Sequence, residues 1–327
     1  MATGDRRTRT TSAAGALSGA PRAHDGDLPR VVLVTGASSG IGRATALRLA
    51  RPGAVLALAA RGRQGLEAVA ADCRAQGARA TTHPLDVGDD DAVAACVDDL
   101  VRREGRLDAV VHSAAVIAYG DLTEVPADVF ERVVRTDVLG TAAVARHALR
   151  RFRAQDEGTL VLLGSVLGQV TAPWMSSYVT SKWAVHGLAR TLQQENRPWR
   201  RVHVRLVSPG GVETPVYRRA ATYLGHHGKP PMPVYDPATV ADRVVRVLAR
   251  PGAAQRDTRA GWGNPFIRLG FVALPGVYDA AVGPLLRLLG LDRRRVEDTP
   301  GNVLEPSPDA DPTSRDQLAR RRTRTSR

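Results

Sequence analysis

The sequence predicts an α/β fold in which helices cover both faces of a doubly wound parallel sheet. Three observations predict it. Short apolar runs alternate with stretches of helical periodicity through residues 30–250, the pattern of strands joined by crossover helices. The first apolar run ends in a glycine-rich turn that opens a helical stretch. Of 327 residues, 43% are hydrophobic but only 4% aromatic, so a large core must be built from Ala, Val and Leu.

The elements follow in order. Residues 30–34 read as a buried first strand and 42–50 as a helix. Residues 54–59 give the second strand, 66–76 the second helix and 80–85 a third strand ending at Asp86. A helix over 90–104 opens on stacked acids, favourable for its dipole. Strands follow at 108–112, 159–163 and 202–207, separated by helices at 130–153 and 178–196. Asp236 and Pro237 read as the N-cap and first residue of a helix ending at 249. These make one domain, 30–250, followed by an apolar helical extension at 251–299. Residues 1–29 and 300–327 read as a disordered leader and a disordered polar tail.

The formal net charge of +13 invites a nucleic-acid reading. Its distribution argues against one. Five Arg meet three acids in residues 1–30, and nine Arg meet seven acids in 292–327. The remainder is spread without a basic stripe or interleaved aromatics. Cys73 and Cys96 form no metal-type cluster and read as buried thiols in a reducing, cytoplasmic compartment. The His226–His227 pair has no partners at ligand spacing, so no metal site is expected. Residues 265–291 are apolar but broken by Arg268, Pro275, Asp279, Pro284 and Arg287, too interrupted to span a bilayer. They suit a broken pair of amphipathic helices that close a pocket or touch a membrane surface peripherally.

Two motifs carry chemistry. Thr35-Gly36-Ala37-Ser38-Ser39-Gly40-Ile41-Gly42 lies between the first strand and helix, where glycines let a pyrophosphate approach the backbone and a helix N-terminus. Tyr178 and Lys182 sit one helical turn apart, with Ser165 upstream. Lys182 stands out because the chain has only two lysines, the other being Lys229, against 44 arginines. Lysine is a compact and tunable charge where arginine is a fixed fork.

Together these motifs resemble the short-chain dehydrogenase/reductase family, marked by T-G-x-x-x-G-x-G near the start and Ser, then Y-x-x-x-K, at the active site. The resemblance covers roughly residues 30–250 and implies a Rossmann-like fold and an oxidoreductase. Such an enzyme transfers a hydride between a nicotinamide cofactor and a carbonyl or alcohol. It implies Ser165, Tyr178 and Lys182 as catalytic residues, with Gly36, Ser38, Ser39, Gly40, Ile41 and Gly42 around the cofactor. Asp86 and Val87 resemble the adenine-contacting end of strand three. Pro209, Gly210, Val212 and Thr214 resemble the nicotinamide-contacting P-G-x-V-x-T segment. The family's N-N-A-G appears as His112-Ser113-Ala114-Ala115, with His112 read as a packed strand-end residue and Ala115 acceptable only if its φ is negative. The family's active-site Asn is replaced by Asp137. Family members usually form homodimers or homotetramers.

Cofactor choice follows from charge. Strand two ends at Ala60 where NAD enzymes of this fold keep a carboxylate, and Arg61 follows. A guanidinium there pairs with a 2′-phosphate, which favours NADP(H) over NAD(H). In the expected mechanism Tyr178 exchanges a proton with the substrate oxygen, Lys182 and the nicotinamide lower its pKa, and Ser165 polarises the substrate. A lid over 213–236 and the 265–291 extension suggest an apolar carbonyl or alcohol. The alternative is a non-catalytic nucleotide-binding or regulatory protein on the same fold.

Overall fold

In the computed structural model, residues 28–253, 257–260 and 263–306 are described. The expected leader up to residue 27 and the expected tail from residue 307 lie outside them.

Thirteen strands and ten helices are found among the described residues. In chain order the strands are β1 (Val31–Thr35), β2 (Val55–Ala60), β3 (Arg79–Pro84), β4 (Ala109–His112), β5 (Ala118–Tyr119), β6 (Gly158–Leu163), β7 (Val202–Pro209), β8 (Gly211–Val212), β9 (Ala221–Thr222), β10 (His226–Gly228), β11 (Val234–Tyr235), β12 (Asp257–Ala260) and β13 (Leu291–Arg295). The helices are α1 (Gly40–Leu49), α2 (Arg63–Ala75), α3 (Asp90–Glu104), α4 (Ala127–Val134), α5 (Gly140–Ala154), α6 (Ser176–Glu195), α7 (Val216–Arg219), α8 (Pro237–Ala249), α9 (Asn264–Ala273) and α10 (Pro275–Leu289).

Seven strands form one parallel sheet in the order β12-β7-β6-β4-β1-β2-β3. All five residues of β1 are buried, as expected of a central strand covered on both faces. Its side chains alternate between two cores. Val31 and Leu33 pack with α3, α5 and α6, whereas Val32 and Val34 pack with α1, α2 and α8. The strand order reverses between β1 and β4, which opens a crevice at the carboxyl ends of the strands.

Helix boundaries follow local chemistry. Asp89 caps α3 by accepting from the Ala92 N–H at 3.0 Å, and Gly105 ends it at φ 73°. Asp236 caps α8, accepting from the Ala238 N–H at 2.8 Å.

Four expectations change. The helix expected over 130–153 begins at Ala127 and is interrupted by a π-helical turn, Arg135–Leu139. The polar Asp257–Ala260 forms the seventh strand, pairing in parallel with β7. Its short Asp-Thr-Arg-Ala sequence carries no apolar run; pairing with β7, the buried Ala260 and the bonds of Asp257 to Ser208 and Gln169 place it. Residues 213–236, expected as a lid, form α7 and short strands; β8 pairs with β11 and β5 with β9. Residues 300–306, expected in the disordered tail, are packed: Val303 is fully buried against Val116, Val129 and Val133. The apolar stretch is the expected helix pair, α9 and α10. Among the described residues no helix is long and apolar enough to cross a membrane.

Candidate active site

The glycine turn sits where the strand order reverses. Gly36 has φ 68°, and a Cβ there would lie 2.6 Å from the Ala114 nitrogen; one on Gly42 would lie 2.2 Å from the Gly36 oxygen. Neither position accepts a side chain. The turn therefore folds against the β4 loop and delivers α1 into the crevice. The N-cap residue of α1, Ser39, is extended and makes no side-chain cap bond. The helix's first N–H groups remain for an anionic ligand, which fits a dinucleotide pyrophosphate.

The β4 end is fixed by hydroxyls. His112 is buried, with Nδ1 2.8 Å from Thr35 Oγ1 and Nε2 3.0 Å from Thr141 Oγ1. Burial, with the Lys182 charge, drives its pKa down to about 3, so the ring is neutral and structural. Among the described residues, the non-glycine residues at positive φ are Asp156 and Trp174 and not Ala115, so its methyl is accepted.

At the far end of the crevice, Asp86 accepts from the Gly88 N–H at 2.9 Å and forms an ion pair with Arg132. Burial alone would raise its pKa, but these partners hold it below the usual carboxylate range. Arg61 donates from Nη1 to the Val303 carbonyl at 3.0 Å and from Nη2 to the Asn302 carbonyl.

The Ser165, Tyr178 and Lys182 side chains converge. Ser165 follows β6 and caps a 3₁₀ turn, its Oγ accepting from the Leu167 N–H at 3.1 Å. It also hydrogen-bonds the Tyr178 phenol. Tyr178 and Lys182 share one face of α6, with Lys182 Nζ 5.3 Å from the Tyr178 ring centroid. Nζ donates to the Leu163 carbonyl at 3.4 Å and lies 3.6 Å from Asp137 Oδ2.

Asp137 is the centre of the π-helical turn and is 1% exposed. Its Oδ1 accepts from the Val116 N–H at 2.9 Å, and its main-chain carbonyl accepts from Thr141 Oγ1. Burial lifts its carboxyl to about 6, although Lys182 and the Val116 bond pull the other way.

The protein's own groups act on Tyr178 in opposing directions. Burial pushes the Tyr178 phenol up, the Asp137 charge adds to this, and the Ser165 hydrogen bond opposes both. The expected fall rests on Lys182 together with the charge of a bound nicotinamide. The Asp137 carboxylate lies against that ammonium and offsets its field.

A cavity of about 620 Å³ joins these parts. It is lined by Ser165, Tyr178 and Lys182 and by the expected cofactor residues Gly36, Ser38, Ser39, Gly40, Ile41, Arg61, Asp86, Val87, Ser113, Ala114, Ala115, Pro209, Gly210, Val212 and Thr214. Gly42 and Asp137 do not line it. Further lining residues were not found from the sequence. Tyr119, 1% exposed, packs in one cluster with Tyr178 and Tyr217. Phe266, Ile267, Tyr278, Val282, Leu285 and Leu289 of α9 and α10 form an apolar wall. Asn302 lines the nucleotide end. Only the apolar run at 265–291 gave any signal of these.

Residues 30–223 match the family described as short chain dehydrogenase. The chain belongs to this family. It is 29% identical over 238 residues to Uncharacterized oxidoreductase YxnA of Bacillus subtilis, a match covering 71% of this chain and 65% of YxnA. A short chain dehydrogenase from Mycobacterium paratuberculosis, solved bound to NAD, superposes with a TM-score of 0.63 at 26% identity, over 72% of this chain and 97% of that one. An alcohol dehydrogenase from Thermococcus sibiricus, complexed with 5-hydroxy-NADP, gives a TM-score of 0.61 at 29% identity, over 70% and 95%. Fold and family together make the chain a nicotinamide-dependent oxidoreductase acting on CH–OH or carbonyl groups.

Proposed function

We propose that the protein is an NADP(H)-dependent reductase of an apolar carbonyl compound, with Ser165, Tyr178 and Lys182 as its catalytic residues. The convergence of these three side chains on one cavity with the glycine turn carries this reading. The bound nicotinamide supplies the hydride in reduction. Ser165 donates a hydrogen bond to the substrate oxygen. Tyr178 holds the proton that this oxygen receives; a phenol is protonated at neutral pH, the state a proton donor needs. Lys182, beside the Tyr178 ring, would hydrogen-bond the nicotinamide ribose. Asp137 balances the ammonium from behind. Asp86, Val87 and Ser113–Ala115 would line the adenosine side, and Pro209, Gly210, Val212 and Thr214 the nicotinamide side.

Arg61 supports NADP(H), because no carboxylate ends β2 and the guanidinium lines the cavity. The α9–α10 wall supports an apolar substrate. The outward residues Leu269, Val272 and Leu288 are 63%, 67% and 74% exposed, which suits peripheral contact with a lipid surface. Leu139 and Trp183, each about half exposed, suit a homodimer or homotetramer through the long helices. The buried free thiols of Cys73 and Cys96 suit the cytoplasm.

The test is a panel of aldehydes and ketones of increasing apolar size, followed at the nicotinamide absorbance with NADPH and NADH. Turnover with NADPH that rises with apolar size supports the reading. Tight NADPH binding without turnover across the panel would favour a non-catalytic nucleotide-binding protein.

A further inference from the structure

The chain returns from α10 to the nucleotide end of the cavity. There residues 299–306 are anchored at three points. Thr299 and Thr222 exchange backbone hydrogen bonds at 2.9 and 3.0 Å. The Asn302 N–H donates to the Arg219 carbonyl at 2.7 Å. Val303 fills an apolar socket at 0% exposure. Gly301, at φ 53°, lies so close to Arg219 and Ala220 that a Cβ would meet the Arg219 oxygen at 2.3 Å.

This anchoring aims two carbonyls at Arg61, from residues 241 and 242 positions downstream. Val303's carbonyl also accepts from Arg132 Nε at 3.4 Å, and Arg132 pairs with Asp86. Two guanidiniums thus meet one carboxylate, leaving a surplus positive charge in a partly buried corner. The carbonyls are neutral and cannot discharge Arg61. Among the described residues no carboxylate of the segment pairs with it. A guanidinium has five N–H donors, of which the carbonyls engage two. The rest belong to a side chain that lines the cavity beside Ser38 and Gly62. Asn302 lines the same corner, with its Oδ1 buried and lacking a hydrogen-bond partner.

We propose that residues 299–306 are a positioning strap, built into the nucleotide site, that holds Arg61 in place for the 2′-phosphate of NADP(H). The proposal rests on the NADP(H) reading. It makes cofactor preference depend on a segment remote in sequence from the strands that form the dinucleotide fold. Holding the guanidinium before the ligand arrives removes the cost of ordering it on binding. The strap therefore acts on NADPH and not on NADH.

The test measures dissociation constants for NADPH and NADH, by nicotinamide fluorescence, in the full chain and four variants. Val303→Asp expels the strap's plug, and Gly301→Val lifts the strap from outside the apolar socket. Val303→Ile keeps it seated, and Arg61→Ala removes what it holds. Melting curves verify that each is folded, and Gly301→Val stands in if Val303→Asp is not. The expected result is a loss of about tenfold in NADPH affinity for both strap-releasing variants. NADH stays within about twofold, and Val303→Ile behaves as wild type. Equal losses for both cofactors would mean a structural role only and overturn the proposal. Unchanged NADPH binding would overturn it too, and tighter binding would make the strap a competitor of the phosphate. A wild type without NADPH preference, unaffected by Arg61→Ala, would instead remove the NADP(H) reading itself.

Discussion

Replacing Asp137 with Asn tests the electrostatics of the site most directly, because two physical arguments predict opposite signs. Removing one partner of a buried ion pair ordinarily costs about 3–5 kcal/mol. Here Lys182 Nζ keeps the Leu163 carbonyl at 3.4 Å after the change, and an amide oxygen at 137 can keep the Val116 bond. The carboxyl, meanwhile, is lifted by burial to about 6 even with Lys182 beside it. That is roughly two pH units above an ordinary aspartate, or ~3 kcal/mol against the ionised form. Between about pH 4 and 6 the native protein holds a proton that the unfolded chain has released, so wild-type stability falls as pH rises through that window. Asn carries no such proton. Asp137→Asn is therefore expected to be more stable than wild type by ~3 kcal/mol at pH 8, with the gap closing towards pH 4. Urea unfolding at pH 4.5, 6 and 8, extrapolated to water, measures it. His112 titrates in both proteins and drops out of the difference. A variant less stable than wild type at pH 8, or a gap that does not change with pH, would refute the reasoning and make the Lys182 pair a net stabiliser.

Further outcomes follow from the same geometry. Tyr178→Phe should lower kcat for carbonyl reduction by about 10²–10⁴ while dinucleotide binding, read by fluorescence, persists. In alcohol oxidation, Asp137→Asn removes a charge that raises the Tyr178 phenol, so the alkaline rise of kcat/KM should move to lower pH. Gly36→Ala forces a methyl to within 2.6 Å of the Ala114 nitrogen at positive φ; isothermal titration should show dinucleotide affinity lost. His112 must charge to unfold in acid: its folded pKa of about 3 lies below that of an ordinary histidine, so its contribution is present above about pH 6.5 and lost as pH falls towards 3. His112→Gln should flatten that acid limb in thermal melts.

The sequence was most legible where one physical signal dominated. Buried parallel strands such as β1 announce themselves as unbroken apolar runs, and the spacing of Tyr178 and Lys182 places both on one helical face. The parts that escaped are those set by tertiary contact. β12 is polar and exists because β7 offers it an edge. The π-helical turn is invisible in Arg-Thr-Asp-Val-Leu, since it reflects where α4 and α5 must each pack. The docking of Val303 depends on a socket assembled from three segments distant from it in the chain, around Val116, Val129 and Ala221. The direction of the Tyr178 shift needed burial and the Lys182–Asp137 separation, and a motif supplies neither.

The π-helical turn at 135–139 also sets the angular phase of everything after it. One residue of helix is worth about 100° of rotation, and a widened turn accommodates an extra residue that an α-helix would not. Asp137 and Thr141, within and just after that turn, reach Lys182 and His112. Leu139, 54% exposed, should therefore tolerate a change of side chain yet not the loss of its place in the chain. Excising it would restore a regular helix and swing α5 out of step with α6 and β4. At this point the protein counts residues more strictly than it reads them.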